Sequence, residues 1–346
     1  MNRTSYPAIA LSLLAASVIA ATTMLQAQSR PGPPTPPPGA NADPSATPLA
    51  ATAPTLDEKT RRGLAMQVAL DRAGFSPGEI DGSPGGNTER AMAAFEAAHG
   101  TVELGDSYHN PVVTYTISEV DAAGPFVAHV PEDMVEKSTL PALSYSSVLE
   151  LLAERFHASP KLLQRLNPAA RFVAGEPIVV PNVEPFVAPA PKPELGENLV
   201  PQNAGGAHPA GPLVVIVTDR TKTLQVQDSA GKVIFHAPVT VGSENDPLPV
   251  GEWKINGVGR NPVFHYNPDL FWDADPTHAK AKIAAGPNNP VGVVWIDLSK
   301  EHYGIHGTPE PSRIGYTESH GCIRLTNWDA MRVAELVKPG TKVVLR

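Results

Sequence analysis

Hydrophobic residues follow two patterns along this chain, a helical spacing in its first half and an alternation typical of strands in its second half. Leu64 and Val68 are four residues apart, as on one face of a helix, and Gly74 fits the position of a C-terminal cap. A second helix is predicted from Thr88. The stretch around these residues is therefore expected to fold as a small helical hairpin.

Two further helices are predicted later in the first half. Ser146 or Ser147 would cap one of them, and Ser159 followed by Pro160 would begin the other. The sequence EPIVVPN that follows alternates like a short strand that ends at a proline.

From residue 213 onward the pattern is that of short β-strands separated by Gly, Asp and Asn turns. The segments are LVVIVTD, TLQVQD, KVIFHAPVTVG, EWKINGVG and VVWIDLS. Closely spaced strands of this kind favour a β-sandwich or barrel over a parallel α/β sheet. One helix is predicted after Thr326, where the residues have capping-box spacing, and a last strand runs from Lys342 to Leu345.

Proline content separates these regions. The chain has 38 prolines in 346 residues, about twice the ordinary share of roughly 5%. Nine lie between Gln28 and Leu56 and eight between Pro181 and Pro212, which predicts two extended spacers that leave the C-terminal unit mobile. Ala8 to Leu25 carries no charge, which predicts a signal peptide or an uncleaved membrane anchor and an exported protein, in the periplasm or cell wall.

Charge and cysteine content exclude two classes of protein. The 27 Lys and Arg against 35 Asp and Glu give a net charge of -8, which argues against a nucleic-acid binder because such proteins need cations to displace phosphate counterions. Cys322 is the single cysteine, so the chain has no internal disulfide and no metal site that needs two cysteine ligands.

Cys322 is a candidate nucleophile because it stands in ESHGCIRLTN, two residues after His320 and sixteen after His306. An imidazole can take the thiol proton and hold the thiolate, and Gly321 lets backbone amides approach a bound carbonyl. On spacing alone His320 competes as the base, since residues i and i+2 of a strand point the same way. Two alternatives are an inert buried cysteine and a zinc set that adds His302.

Three parts of the chain resemble known families. GFSPGEIDGSPGGNTERAMAAFEAAHG resembles the peptidoglycan-binding helical module, and the later helix pair resembles a LysM-type βααβ unit. The residues that match are Gly74, Phe75, Pro77, Gly78, Ile80, Asp81, Gly82, Thr88, Ala91 and Phe95 for the first, and Asn167, Pro168, Gly175, Ile178, Val180 and Pro181 for the second. Tyr145-Ser146-Ser147 replaces the Gly-Asp-Thr of the LysM family, in a loop that the family uses for glycan.

The string IHGTPEPSRIGYTESHGCIRLTN resembles the signature of the YkuD-type L,D-transpeptidase catalytic domain, with His-Gly, a spacer and then Ser-His-Gly-Cys, an apolar residue and Arg. The resemblance spans residues 213–346 and implies a β-rich catalytic fold. The segments expected are 1–27 (signal peptide or anchor), 28–57 (linker), 58–104 (peptidoglycan-binding-like), 105–142 (connector), 143–182 (LysM-like), 183–212 (linker) and 213–346 (catalytic).

The resemblance also implies roles for individual residues. Cys322 would be the nucleophile, His306 the proton donor and acceptor, and His320 a helper; Gly321 would provide oxyanion-hole backbone and Gly307 a carbonyl that orients the histidine. Substrate-binding candidates are Arg324, Ser319, Tyr303, Asn289 and Trp272. Asn327 is expected to cap a helix, and residues 261–292, with their aromatic side chains, to form a lid.

The implied reaction is acyl transfer at the bond between meso-diaminopimelate and the terminal D-Ala of a peptidoglycan tetrapeptide, through a thioester on Cys322. No cofactor or metal is implied, and carbapenems would acylate the cysteine. The residues leave the acceptor open among a second diaminopimelate, a lysine of an outer-membrane lipoprotein, a D-amino acid and water. Three alternative functions are an L,D-carboxypeptidase, a zinc-dependent wall peptidase and an inactive wall-binding protein.

Overall fold

The computed structural model describes residues 56–100, 109–189, 211–275 and 277–346, all of which belong to one compact unit. The predicted signal or anchor and most of both proline-rich spacers lie outside these residues. Within the described ranges no helix is long and apolar enough to cross a membrane.

Two helices form the first part of the fold, which we call the helical module (residues 58–100). Helix α1, Glu58–Arg72, begins after Asp57, whose carboxylate accepts a hydrogen bond from the Thr60 amide. Helix α2, Gly86–His99, begins two residues before the predicted Thr88, because Gly85 occupies its N-cap. Leu70, Phe75 and Ala91 form the buried centre of the module.

The next part, the middle module (residues 112–181), is a two-stranded sheet with four helices between its strands. Strand β1, Val112–Thr116, pairs antiparallel with β2, Pro177–Pro181. Between them lie short helices α3 (Glu119–Ala123) and α4 (Met134–Lys137), followed by α5 (Val148–Arg155) and α6 (Pro160–Leu166). Ser147, one of the two predicted candidates, caps α5, and Ser159 caps α6 as the sequence predicts.

Strand β1 lies in residues 105–142, the stretch that the sequence predicts as a connector. Val113 pairs with Val180 across the two-stranded sheet. Pairing between strands so distant in sequence depends on tertiary contacts rather than on local pattern, so local pattern alone does not fix where β1 begins and what it pairs with.

The C-terminal part is built on one eight-stranded mixed sheet. Its strands are β3 Val214–Thr218, β4 Thr223–Gln227, β5 Val233–Pro238, β6 Gly251–Arg260, β9 Val294–Leu298, β10 Gly304–His306, β11 Ile323–Arg324 and β12 Lys342–Leu345. Their order across the sheet is β11-β10-β9-β6-β12-β3-β4-β5. A separate hairpin joins β7 (Phe264–Tyr266) to β8 (Ala281–Ile283), and helix α7 is Asn327–Leu336.

This sheet is curled, and it differs from a sandwich of two separate sheets. The long strand β6 pairs through its first half with β12 and through its second half with β9, with a bulge between Ile255 and Gly257. Thr240, just after β5, forms a β-bridge with Arg324 of β11, so the two ends of the strand order meet. The curled sheet and α7 enclose one hydrophobic core, in which Trp328 of the helix is buried.

The helical module adds a short stretch of backbone to the edge strand β5. The amide of Ser76 donates to the His236 carbonyl at 2.8 Å, and the amide of His236 donates to the Gly74 carbonyl at 2.9 Å. Phe75 between them is buried and stacks on His236 at 6.3 Å between ring centroids. An open sheet edge exposes unpaired backbone groups, and here the module covers them.

A buried polar junction joins all three parts. The imidazole of His157, in the middle module, donates to Asp71 of α1 at 3.0 Å and stacks on Trp328 of α7 at 5.1 Å. The Ser76 hydroxyl donates to the Asp329 carboxylate at 2.8 Å. The proline-rich stretch that follows the middle module therefore does not separate the described modules from the C-terminal part, contrary to the expectation from composition.

A second buried contact links the middle module to the start of α7. The side-chain amide of Asn327 donates to both carboxyl oxygens of Glu154, at 3.1 and 3.2 Å, and the hydroxyl of Tyr145 donates to the same carboxyl at 3.0 Å. Burial raises the pKa of Glu154 from its ordinary value of 4.5 to about 8, so this carboxyl is neutral at pH 7.

We predict that Glu154→Gln stabilises the protein at alkaline pH. A carboxyl whose pKa is raised on folding contributes full stability below pH 4.5 and loses it as the pH rises through about 8. Glutamine keeps the shape without the charge. The free energy of unfolding of the variant minus that of wild type should therefore be larger at pH 9 than at pH 5, by on the order of a few kcal/mol. Urea denaturation at both pH values measures this difference.

The matched control is Glu335→Gln, which removes an exposed carboxylate from α7 and should behave like wild type at both pH values. A difference between Glu154→Gln and wild type that is the same at pH 5 and pH 9 would contradict the prediction.

Candidate active site

The pairing of β10 with β11 determines which side chains share the candidate site. The two strands run parallel, with Ile305 opposite Ile323 and His306 opposite Arg324. Both isoleucines are fully buried in the core. Because side chains alternate along a strand, His306 and Arg324 lie on the opposite face. Cys322 precedes β11, and its thiol is close enough to Arg324 for the charge of the guanidinium to act on it.

His306 is buried, and its ring is held from two sides. Its Nδ1 donates to the carbonyl oxygen of Gly307 at 2.7 Å, and the ring stacks on Trp295 of β9 at 5.6 Å. A proton on Nδ1 leaves Nε2 as the proton acceptor. Burial, with the nearby guanidinium of Arg324, lowers the pKa of His306 to about 3. The imidazole is therefore neutral.

The thiol of Cys322 is also neutral. Its Sγ lies 3.8 Å from the carbonyl oxygen of His302. Burial raises the pKa of the thiol, while a backbone hydrogen bond at Gly304 and the charge of Arg324 act in the opposite direction. The resting site thus combines a protonated thiol with a neutral base rather than a thiolate and an imidazolium.

The turn that carries Cys322 is fixed by glycine and serine. Gly321 has φ +92°, and a Cβ there would lie 2.6 Å from the ring of Tyr303, so only glycine fits. The hydroxyl of Ser319 donates to the carbonyl of Cys322 at 2.6 Å. Ser319 therefore closes the turn, and its place among the substrate-binding candidates stays a prediction. Tyr303 lies directly against the turn.

Arg324 combines a buried charge with an unused donor. Its backbone forms both hydrogen bonds of a bridge with Thr240, at 2.8 and 3.0 Å. Its Nε is buried and has no hydrogen-bond partner within the described part of the chain. Burial lowers the pKa of the guanidinium, while the neighbouring Cys322, Glu310 and Asp273 raise it. A buried donor without a partner points to a bound anion or carbonyl group.

His320 contacts the predicted lid. Its Nε2 lies 2.7 Å from a carboxylate oxygen of Asp273, and its ring packs edge-on against Phe271 at 5.0 Å and near Trp272 at 6.1 Å. Strand β11 begins only at Ile323, so the strand geometry that would point His320 and Cys322 the same way is absent. Trp272 is 63% exposed beside it.

Residues of the predicted connector support this lid. The hydroxyl of Tyr266 and Nδ1 of His278 are 3.2 Å apart, and Nε2 of His278 lies 3.0 Å from the carboxylate of Asp133. Met134 and Leu140 of the connector pack against the apolar cluster that contains Tyr266. The stretch to which the sequence assigns no role therefore packs beneath the loop that reaches His320.

Two asparagines have structural roles in the fold. Asn289 is fully buried, with its amide donating to the Ala284 carbonyl at 2.8 Å and its oxygen accepting from the Val291 amide; its place among the substrate-binding candidates stays a prediction. Asn327 is the first residue of α7 rather than its cap, which is Thr326.

Three residues near the site were missed by sequence reasoning. Trp295 stacks on the histidine, Asp273 binds His320, and Thr240 pairs with Arg324. Trp295 occupies one of the two partly exposed positions of β9, between buried apolar residues, and a large aromatic residue on that face is a usable signal for a surface role. Nothing local distinguishes Asp273 or Thr240, because their partners are far away in the sequence.

Comparison with known proteins agrees with this geometry. Residues 213–345 match the family model YkuD, the L,D-transpeptidase catalytic domain. The chain is 30% identical to the putative L,D-transpeptidase YkuD of Bacillus subtilis over 200 residues, which are 57% of this chain and 92% of that protein. This chain belongs to the YkuD family of L,D-transpeptidases.

Two further similarities have narrower coverage. The probable L,D-transpeptidase YbiS of Escherichia coli is 43% identical over 134 residues, 37% of this chain and 43% of that protein. A crystal structure of L,D-transpeptidase 3 from Mycobacterium tuberculosis in complex with a faropenem-derived adduct has 15% identity and a TM-score of 0.33, covering 50% of this chain and 74% of that one. The last similarity is too low to bear on the site.

Membership in the YkuD family makes the C-terminal part of this L,D-transpeptidase an acyltransferase domain. It confirms the catalytic unit and the family that the sequence predicts. The helical and middle modules lie outside the matched residues 213–345, and their resemblances stay predictions.

We predict that alkylation of Cys322 by iodoacetamide is slow at neutral pH and still accelerates above pH 9, because its thiol pKa is raised from 9.0 by burial. Arg324→Gln should move this profile to still higher pH, since the guanidinium favours the thiolate. Mass spectrometry of the intact protein gives the rate at each pH.

Arg313→Gln is the control, because this exposed arginine pairs with Glu310 on the loop between His306 and Cys322. Its profile should match that of wild type. A rate that reaches its plateau already near pH 7 would show an ion pair of thiolate and imidazolium and would contradict the neutral resting site.

Proposed function

We propose that this L,D-transpeptidase uses Cys322 as the nucleophile of acyl transfer from a peptidoglycan tetrapeptide. The observation that carries the proposal is the β10–β11 register, which places His306 opposite Arg324, together with the closeness of Arg324 to both the imidazole of His306 and the thiol of Cys322. A nucleophile, a base with an oriented tautomer and a fixed cation are the groups that such a transfer needs.

In the first step, Nε2 of His306 takes the thiol proton as Sγ of Cys322 attacks the carbonyl carbon between diaminopimelate and D-Ala. The tetrahedral intermediate then collapses, the proton passes from the imidazole to the departing nitrogen, and D-Ala leaves as an amine. A thioester remains on Cys322. In the second step an acceptor amine attacks the thioester, His306 takes its proton and returns it to the sulfur.

The low pKa of His306 suits a base that is neutral before substrate binds. Arg324 lowers the pKa values of both His306 and Cys322, so it has little net effect on transfer of the proton between them. Its cation and its unpartnered Nε are instead available to a carboxylate of the stem peptide. The backbone at Gly321 would supply oxyanion donors, and Tyr303 and Trp272 would border the donor peptide.

The rest of the proposal concerns the setting of the enzyme. The helical and middle modules would hold peptidoglycan, in line with their resemblance to the peptidoglycan-binding and LysM families. The N-terminal segment would direct the chain to the periplasm or cell wall. Carbapenems would acylate Cys322, and the acceptor would be an amine, either of a second diaminopimelate or of a lipoprotein lysine.

We predict that wild type releases D-Ala from a disaccharide-tetrapeptide and forms a cross-linked dimer that has lost one D-Ala. Cys322→Ala should abolish both products because no thioester can form, and His306→Ala should reduce them by about 100-fold or more. Mass spectrometry of the reaction products measures each species.

His129→Ala is the matched control for His306→Ala, because it removes an exposed imidazole outside the catalytic domain and should leave turnover unchanged. Full turnover by Cys322→Ala would overturn the mechanism. Tripeptide without dimer would show hydrolysis, as in a carboxypeptidase. Loss of activity with a chelator but not with a thiol reagent would favour the zinc peptidase, and sacculus binding without any product would favour the wall-binding protein.

A further inference from the structure

The loop that joins His306 to Cys322 is held in part by the helical module. This connecting loop (residues 308–318) leaves β10 immediately after His306-Gly307 and returns at Ser319, three residues before the nucleophile. It contains one short 3-10 helix, Pro311–Arg313, and no strand. Its position therefore depends on contacts made by single backbone groups.

One peptide group of this loop, between Ile314 and Gly315, is hydrogen-bonded on both sides. The Gly315 amide donates to the hydroxyl oxygen of Thr240 at 3.1 Å, and the Ile314 carbonyl accepts from the side-chain amide of Asn87 at 2.9 Å. The N–H and C=O of one trans peptide point in opposite directions. Thr240 and Asn87 thus hold the same peptide from opposite sides, one from the catalytic domain and one from α2 of the helical module.

Asn87 is itself well fixed. It is buried, and its side-chain oxygen accepts a hydrogen bond from Arg90 one turn later in α2. A Cβ on Gly315 would lie 2.5 Å from that oxygen, so the loop packs directly on the asparagine. The helical module cannot shift away easily, because residues 74–76 are bonded to β5 and Ser76 is bonded to Asp329.

Thr240 connects this peptide to the active site. Its backbone forms two hydrogen bonds with Arg324, which lies opposite His306 and whose charge acts on both His306 and Cys322. If the hydrogen bond from Asn87 is lost, only the hydrogen bond to Thr240 still holds this peptide. Small displacements of reacting groups have large effects on rate, up to about 100-fold for about 1 Å.

We propose that Asn87 is a positioning residue for acyl transfer, and that the helical module thereby forms a structural part of the active site in addition to any binding of the wall. The proposal rests on the proposed function of Cys322 and His306. It assigns to α2 a role in fixing the loop between them, through the carbonyl of Ile314.

The test compares Asn87→Ala and Asn87→Asp with Ser76→Ala in the full chain. Asn87→Asp keeps the size of the side chain and the oxygen that accepts from Arg90, and replaces the donor by a charged carboxylate oxygen, so the melting temperature of each variant is measured to detect a folding defect. Ser76→Ala removes an equally buried bond between the same module and the catalytic domain, at α7 instead of the loop. The readouts are melting temperature, kcat and KM for D-Ala release, and hydrogen exchange of residues 308–318.

Both Asn87 variants should lower kcat about five- to fiftyfold and accelerate exchange of the loop at least tenfold, while Ser76→Ala lowers the melting temperature but keeps kcat within about twofold. A wild-type kcat in Asn87→Asp, or a loss of kcat in all three variants that follows their melting temperatures, would overturn the proposal.

Iodoacetamide separates this proposal from the failure of the proposed function. If wild type neither releases D-Ala nor reacts with a carbapenem, the function is wrong, and the alkylation rate of Cys322 then becomes the readout. A rate changed at least threefold in Asn87→Asp but not in Ser76→Ala supports the positioning role. An unchanged rate overturns it.

Discussion

The active-site face depends on the pairing of two very short strands. Strands β10 and β11 share only the pairs Ile305–Ile323 and His306–Arg324. Burial of the two isoleucines decides which side of the pair faces the core, since a slip by one residue would move every side chain to the other face. The chemistry of Cys322 is therefore positioned by apolar neighbours that take no part in it.

So short a pairing needs support from its surroundings. Strand β10 is bonded on its other side to β9, and β11 is bridged to Thr240, which follows the far edge strand β5. Curling brings the two ends of the sheet together. The helical module covers β5 through residues 74–76 and contacts the connecting loop through Asn87. The module thus touches both sides of the region where the sheet closes.

Local patterns in the sequence predicted the features that depend on neighbouring residues. Short-range rules predict the serine caps of α5 and α6, the C-terminal position of Gly74 and the strand-rich catalytic domain, and each is present. The bounds and pairing of strand β1 and the docking of the modules were not predicted, because they depend on partners far along the chain. The sequence likewise does not show that Asn289 is completely buried and holds backbone groups.

The electrostatics of the site favour a thiol that is unreactive until substrate arrives. Thiolates, and not thiols, are the form of cysteine that is oxidised and alkylated. Burial raises the pKa of Cys322 and lowers that of His306, so both effects oppose charge separation in the empty site. A bound carbonyl changes this, because attack on it moves negative charge from sulfur to oxygen, where backbone donors can stabilise it. Proton transfer to His306 then accompanies bond formation and need not precede it.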